Sequence, residues 1–273
     1  MTRGSRYVHQ WNEGTDLPKD LSKPETGDFL IQYTKIEPKN MEKHIIHVAK
    51  KAFDIESYPC FKKFMFLQLD LYHSPSYKLV LEQIRRGNLF LDLGCALGQD
   101  IRRLVYDGAP SENLIGLELR GGFVDLGYEL FQDKSHLQSQ FLVQSFFEDT
   151  PKLTSLRGKV KVVNSGMFMH LWGWEKQVEV AKRMMELLVP EEGSMITGLH
   201  FGSWSAKMWE TMKESPMFVH SPDTLKSLWN QCAQETGTCW EFQCLVEEAD
   251  DCQDLDSEAL KLRWTAKRLN PLR

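Results

Sequence analysis

The stretch Asn88-Leu89-Phe90-Leu91-Asp92-Leu93-Gly94-Cys95-Ala96-Leu97-Gly98-Gln99-Asp100 decides the fold. Leu89 to Leu93 form an apolar run of buried-strand length. Gly94 and Gly98 permit a sharp turn, and Ile101, Leu104 and Val105 then recur at helical spacing until Gly108. The reading is strand, glycine turn, helix. In open α/β sheets, ligands sit beyond the carboxyl ends of strands, where helix N-termini present unpaired N–H groups and small residues admit close approach. A ligand is therefore expected at the turn, with a tight turn that binds nothing as the alternative.

Downstream, the pattern alternates. Strands are expected near 89–93, 113–119, 140–144, 159–164 and 193–200, separated by helices near 99–107, 121–133, 151–156 and 173–188. Such alternation implies right-handed crossovers and a mostly parallel sheet covered on both faces. Further helices are expected at 203–214 and 221–234. Two strands follow at 238–246 and 260–266, joined by the acidic stretch 247–256, and form a hairpin that closes one sheet edge.

Upstream, residues 1–27 are polar and rich in Gly and Pro, with Tyr7 and Trp11 as aromatic anchors. They read as a flexible arm, either a disordered tail or one that orders over a ligand. Three helices are expected next: about 41–53, capped by Asn40; about 59–70, opened by Tyr58-Pro59; and 76–87, from Ser76 to Gly87. Phe61, Phe64, Met65, Phe66, Leu67, Leu69 and Leu71 carry more apolar surface than one amphipathic stripe needs, so the second helix packs on both sides or lines a pocket. The chain thus divides into an arm (1–27), a helical cap (28–87) and a ligand-binding domain (88–273).

At 273 residues, 42% hydrophobic and 26% charged, the chain has material for a sizeable core. A formal charge of −5 argues against a nucleic-acid surface. No apolar run approaches the ~20 residues of a membrane span, and no signal-like segment opens the sequence. A soluble, cytoplasmic protein is expected, and a homodimer is compatible with the composition. The six cysteines lack a C-x-x-C pair and read as free thiols; the scattered histidines, His44 and His47 included, offer no metal set.

A dinucleotide turn would carry G-x-G-x-x-G, but Ala96 and Gln99 stand where its second and third glycines belong. The sequence instead offers Asp92-x-Gly94-x-Ala96-x-Gly98, followed about 20 residues later by Glu118 at a strand tip, where a carboxylate can accept both hydroxyls of a ribose. The third strand ends in Gln144-Ser145-Phe146, which offers oxygen acceptors and an aromatic face for an adenine.

This arrangement resembles motif I and its sequels in the class I S-adenosylmethionine-dependent methyltransferases. The resemblance implies a Rossmann-like fold with a mostly parallel seven-stranded sheet, an antiparallel C-terminal edge and S-adenosyl-L-methionine as cofactor. It implies cofactor contacts from Asp92, Gly94, Cys95, Gly98, Gln99, Asp100, Glu118, Leu119, Gln144, Ser145, Phe146 and Asn164.

A narrower resemblance is carried by Tyr58-Pro59-Cys60-Phe61, by Phe90 to Cys95 with Gly98 to Val105, by Asp107-Gly108-Ala109-Pro110-Ser111-Glu112-Asn113-Leu114, by Asp125 to Phe131, and by Gly166-Met167-Phe168-Met169-His170-Leu171-Trp172. These stretches resemble the small fungal O-methyltransferases of meroterpenoid pathways, including those that esterify a carboxyl on a farnesylated aromatic polyketide. The likeness is strongest over 55–200. Glu118 and Ser145 stand where that family usually has Asp, and Ala96-Leu97 departs inside motif I.

Methyl transfer from a sulfonium is an in-line displacement, so the protein must align the reacting atoms and exclude water. His170, after the fourth strand, and His200, ending the fifth, are the candidate catalytic residues, with a packed histidine as the alternative for each. Tyr58, Phe61, Phe64, Met167, Phe168 and Trp172 are candidates to line a pocket for a small hydrophobic partner, with plain core as the alternative. Arg102 and Arg103 read as solvated helix residues. Two rivals remain: methylation of a phenol, and a methyltransferase fold acting without methyl transfer as an isomerase, cyclase or binding protein, which the serine at 145 motivates.

Overall fold

A computed structural model describes residues 21, 23–209, 216–253 and 256–270. The strands are β1 (Leu89–Leu93), β2 (Leu114–Glu118), β3 (Gln140–Val143), β4 (Val160–Gly166), β5 (Met195–Ser203), β6 (Lys207–Trp209), β7 (Met217–Val219), β8 (Cys239–Glu248) and β9 (Ala259–Leu269). Seven of them form one sheet in the order β3-β2-β1-β4-β5-β9-β8. The first five pair in parallel, and β9 runs antiparallel to both β5 and β8. The central strands β1, β4 and β5 are buried almost throughout, whereas the edge strand β8 alternates between exposed and half-buried positions. β6 and β7 form a separate two-stranded ladder.

The helices are α1 (Pro24–Thr34), α2 (Pro38–Ile55), α3 (Pro59–Lys62), α4 (Tyr77–Arg85), α5 (Gln99–Tyr106), α6 (Gly121–Phe131), α7 (Pro151–Thr154), α8 (Trp174–Leu187) and α9 (Pro222–Thr236). α8 and α9 cover one sheet face in a core with Ile196, Trp229 and Trp264, and α4 and α5 cover the other over Phe90, Leu114, Val162 and Met195. A third core joins the N-terminal helices to α6: Met41, Ile45, Val48 and Ala52 of α2 recur at helical spacing and meet Phe123, Leu126 and Leu130. α9 begins with a capping box between Ser221 and Thr224 and ends at Gly237 in the left-handed conformation that stops a helix, φ 62°.

The sequence expectations need correction in several places. The helix expected at 59–70 breaks into the single turn α3 and a 3-10 turn at Met65–Leu67, because Phe64 and Leu69 take left-handed backbone, each with φ 51°. Phe61, Phe64, Phe66, Leu67, Leu69 and Leu71 are all buried, and the breaks at Phe64 and Leu69 redirect the chain between them. α1 occupies residues assigned in part to the arm; residues 1–20 and 22 of that arm lie outside the described residues. Asn40 is no cap: α2 starts at Pro38, and the Asn40 amide donates to Glu37 Oε2 at 3.2 Å. Where a helix was expected at 203–214, β5 runs to Ser203 and β6 follows, with 210–215 outside the described residues.

The segment between the 3-10 turn and α4 is pinned along the sheet face opposite Trp264. Lys261 Nζ donates to Gln68 Oε1 (3.1 Å), Arg263 Nη1 to the Asp70 carbonyl (2.7 Å) and Leu71 N to Asp100 Oδ1 (3.3 Å). The Ser76 and Thr197 hydroxyls meet at 3.0 Å. A narrow cleft lies between this segment and the ends of β4 and β5, lined by Asp70, Leu71, Ser74, Asn164, Gly166 and Thr197.

Candidate active site

The turn after β1 is built from backbone. Gly94, Ala96 and Gly98 all have positive φ (67°, 47° and 68°), and the Gly94 and Cys95 N–H groups both donate to the Leu117 carbonyl, at 2.8 and 3.2 Å. Gly94 is bare for a steric reason: a Cβ there would stand 2.7 Å from the Phe168 ring. The Cys95 side chain is buried in the α4–α5 core, so this residue offers the turn only its backbone. Gln99, the first residue of α5, has a buried Oε1 with no hydrogen-bond partner.

Glu118, at the tip of β2, closes the turn from the side. Its Oε2 accepts from Ala96 N and its Oε1 from Arg120 N, both at 3.0 Å. Asp92 stands beside Asn164 in the β1–β4 register and accepts from its Nδ2 at 2.8 Å. Asp92, Asp100 and Glu118 are all buried, and burial pushes each carboxyl above its usual range. For Asp92 the rise reaches about 7, with Glu118 adding to it and Asn164 opposing it. Burial also raises Asp70 in spite of Arg263 beside it.

Raised carboxyls make stability depend on pH. In the folded state Asp92 holds, up to about 7, a proton that the unfolded chain releases near ~3.9. The stability this contributes is complete below the unfolded value and is lost as pH rises through the folded one. Asp92→Asn keeps the shape and the acceptor for Asn164 without the titration. With no cofactor added, the variant should therefore melt above the wild type at pH 8, and the gap should close towards pH 5. Equal midpoints at pH 8 would show that Asp92 is not desolvated.

Beyond β3 the candidates separate. The Gln144 amide is tied to its own loop, accepting from Thr150 Oγ1 at 2.7 Å and donating to the Ser145 and Glu148 carbonyls, while Ser145 Oγ accepts from Phe147 N at 3.2 Å. Leu119 is 60% exposed, whereas Phe146 is packed into the α8 core, its ring 6.0 Å from that of Phe168. The expected pocket residues fall into three apolar clusters. Tyr58, Phe61 and Phe64 belong to the core between the N-terminal helices and α6, on the Glu118 side, where Arg120 pairs with Glu56. The Phe168 and Trp172 rings meet edge to face, 5.0 Å apart, on the other side, and Met167, with a left-handed φ of 49°, packs against the cluster of Phe201 and Val219. These residues belong to separate apolar clusters that flank the turn.

His170 sits in the 3-10 turn Met169–Leu171 with a buried, unpartnered Nδ1, and burial pushes its pKa down to about 4. His200 is fully buried on the Trp264 face of β5, away from the cleft. Gln177 of α8 donates to the Trp172 and Phe218 carbonyls (2.8 and 3.0 Å), so its Oε1 must accept from His200 Nε2 (2.9 Å) and His220 Nε2 (3.2 Å). Both rings therefore carry their proton on Nε2. Burial lowers His200 and His220 too, so all three histidines are neutral at pH 7. Among the described residues, no group of three or more His, Cys, Asp or Glu is placed to hold a metal ion.

Sequence reasoning missed Gln177, His220 and Asp70, and misread Arg102 and Arg103, the latter buried against Asp107 and the Tyr72 ring. Far from being solvated, Arg102 is 0% exposed, with its guanidinium against Asp133 and over the rings of Tyr128, Phe131 and Phe141. The partner lies 31 residues away, so no local pattern announces the pair.

The sheet order, the glycine turn after β1 and the acid ending β2 define the class I S-adenosylmethionine-dependent methyltransferases. A methyltransferase of this kind from Leishmania major superposes with a TM-score of 0.52 at 11% identity, covering 81% of this chain and 82% of that one. The 1,6-didemethyltoxoflavin-N1-methyltransferase of Burkholderia thailandensis, crystallised with S-adenosylhomocysteine, gives 0.50 at 12% identity over 73% and 80%. Residues 11–67 match the family model described as the meroterpenoid methyltransferase N-terminal domain. The O-methyltransferase phiE of a fungal species is 40% identical over 240 residues, 87% of this chain and 79% of that protein. The asnovolin E/chermesin D methyltransferase nvfJ of Aspergillus novofumigatus is 36% identical over 226 residues, 82% and 81% of the two chains. The chain belongs to this family of fungal meroterpenoid-pathway methyltransferases, and it is an S-adenosylmethionine-dependent enzyme.

The residues suit that cofactor. The turn leaves bare backbone for close approach, and Gln99 Oε1 is a buried acceptor in want of a donor. Each Glu118 oxygen accepts one N–H bond and keeps a lone pair for a ribose hydroxyl. Buried carboxyls around the turn suit a ligand that carries a sulfonium and an ammonium.

Proposed function

We propose that this enzyme methylates an oxygen of a small hydrophobic acid, converting the carboxyl of a farnesylated aromatic polyketide into its methyl ester. The bound cofactor supplies an electrophilic methyl on a sulfonium. Asp92, Gly94, Cys95, Gly98, Gln99, Asp100 and Asn164 hold its amino-acid end, and Glu118 with Leu119 its ribose. Gln144 and Ser145 border its adenine, with Phe146 packed behind them. Phe168, Trp172 and Met167 exclude water on one side of the turn, and Tyr58, Phe61 and Phe64 support the other. The reaction belongs to a reducing compartment, the cytoplasm, which agrees with six free thiols.

The observation that carries the acceptor is His170. It lies two residues beyond Phe168, is half-buried with its Nδ1 fully buried, and its pKa is pushed down to about 4 by desolvation. Drawing a proton from a phenol near ~10 to such a base runs about six pK units uphill, ~8 kcal/mol. A carboxylic acid near ~4 is already ionised at neutral pH and needs no base. His170 then orients the acceptor, and phiE and nvfJ support oxygen methylation of a meroterpenoid as the setting.

The test uses a farnesylated aromatic carboxylic acid and methyl-labelled cofactor. The expected product is a labelled ester that alkali cleaves; an alkali-stable aryl ether would replace this reading with phenol methylation. His170→Ala should lower kcat by about three- to tenfold and leave the pH profile between 6 and 8 in place. Loss of a limb in that range would make His170 a base.

A further inference from the structure

The pair behind the glycine turn has three partners. Arg102 meets Asp133 through Nε–Oδ2 (2.7 Å) and Nη2–Oδ1 (3.0 Å), with both side chains 0% exposed. Its remaining nitrogen, Nη1, donates to the Leu97 carbonyl at 2.7 Å and to the Gly98 carbonyl at 3.3 Å, so one guanidinium grips the turn from below. The fit is tight: a Cβ on Gly98 would stand 2.6 Å from Nη1, and one on Gly127 of α6 would stand 2.3 Å from the Leu97 carbonyl oxygen. The third partner comes from outside the sheet domain. The Tyr33 hydroxyl, on α1, donates to Asp133 Oδ2 at 2.9 Å, the oxygen that also takes Arg102 Nε.

We infer that Arg102 and Asp133 are positioning residues for the cofactor turn, and that Tyr33 makes the N-terminal helical segment a working part of the cofactor site. A charge-assisted chain runs from α1 through a buried carboxylate and a buried guanidinium to two carbonyls of the turn. Removing the hydroxyl leaves Oδ2 with the Arg102 Nε donor and without its partner on α1. The pair then settles towards Asp133 and loosens its hold on Leu97 and Gly98. The inference holds whichever oxygen accepts the methyl, because it concerns the cofactor alone.

α1 has another hydrogen bond to the same domain that bypasses this chain. The Tyr106 hydroxyl of α5 donates to Gln32 Oε1 at 2.6 Å, at an exposed position without contact to Asp133. That bond supplies the control. Tyr33→Phe and Tyr106→Phe each remove one hydroxyl from the α1 interface, and each variant is titrated with S-adenosylhomocysteine by calorimetry, alongside melts without ligand. Tyr33→Phe should raise Kd about three- to tenfold, while Tyr106→Phe stays within about 1.5-fold of wild type. A Tyr33→Phe change below threefold overturns the inference. So does equal weakening by both variants, because general loosening of α1 would then account for it.

Discussion

Glu118→Ala should raise the Kd for S-adenosylhomocysteine by about one to two orders of magnitude. The carboxylate has two tasks at once. It fixes the turn by accepting the Ala96 and Arg120 N–H groups, both at 3.0 Å, and by our reading it accepts the ribose diol with its remaining lone pairs. Alanine leaves both N–H groups without an acceptor at a site only 7% exposed, and it removes the diol contacts as well. Bonds to a charged acceptor contribute about 1.5–3 kcal/mol each, and losing part of two of them gives the stated range. Glu118→Gln should fall between the two, since an amide presents an NH2 where one N–H needs an oxygen. Calorimetry decides; a change below about threefold would remove Glu118 from the cofactor site.

Arg102→Ala should be the most destabilising single change considered. It strands the Asp133 carboxylate, 0% exposed, beside the Tyr33 hydroxyl alone and frees the Leu97 carbonyl. Removing one member of a buried ion pair costs about 3–5 kcal/mol. At roughly 2–4 °C per kcal/mol for a domain of this size, the melting midpoint should fall by about 6–20 °C. Replacing both partners with apolar residues, as in Arg102→Met with Asp133→Leu, should recover much of that loss because no charge is left buried. The double variant should still bind cofactor poorly, since nothing then holds the turn carbonyls. A midpoint within 3 °C of wild type for Arg102→Ala would mean that water reaches Asp133.

The sheet was legible because buried strands announce themselves. β1 and the core of β2 follow from short apolar runs bounded by glycine and acid, and the hairpin of β8 and β9 follows from alternation around an acidic connection. The glycine turn and Glu118 were legible for a related reason: backbone geometry and a strand-tip acid leave marks at fixed spacing. The segment 59–70 defeated periodicity because it buries side chains on all sides by breaking at Phe64 and Leu69, and no local signal says where an apolar run will break. Arg102 was misread because burial of a charge depends on a distant partner. Phe146 and Cys95 show the same limit, since spacing placed them at the site while packing turned both side chains into the core.

The antiparallel insertion of β9 between β5 and β8 has a bearing on synthesis. A ribosome makes β9 after every other strand of this sheet, so β5 keeps a raw edge until residues 259–269 emerge. The same strand carries Lys261 and Arg263, which hold Gln68 and Asp70 across a sequence separation of 193 residues. The wall beside the cleft is thus made well before the residues that fasten it. A nascent chain therefore acquires its methyl-donor site late, as one closing event, rather than progressively as the turn and its flanking strands appear.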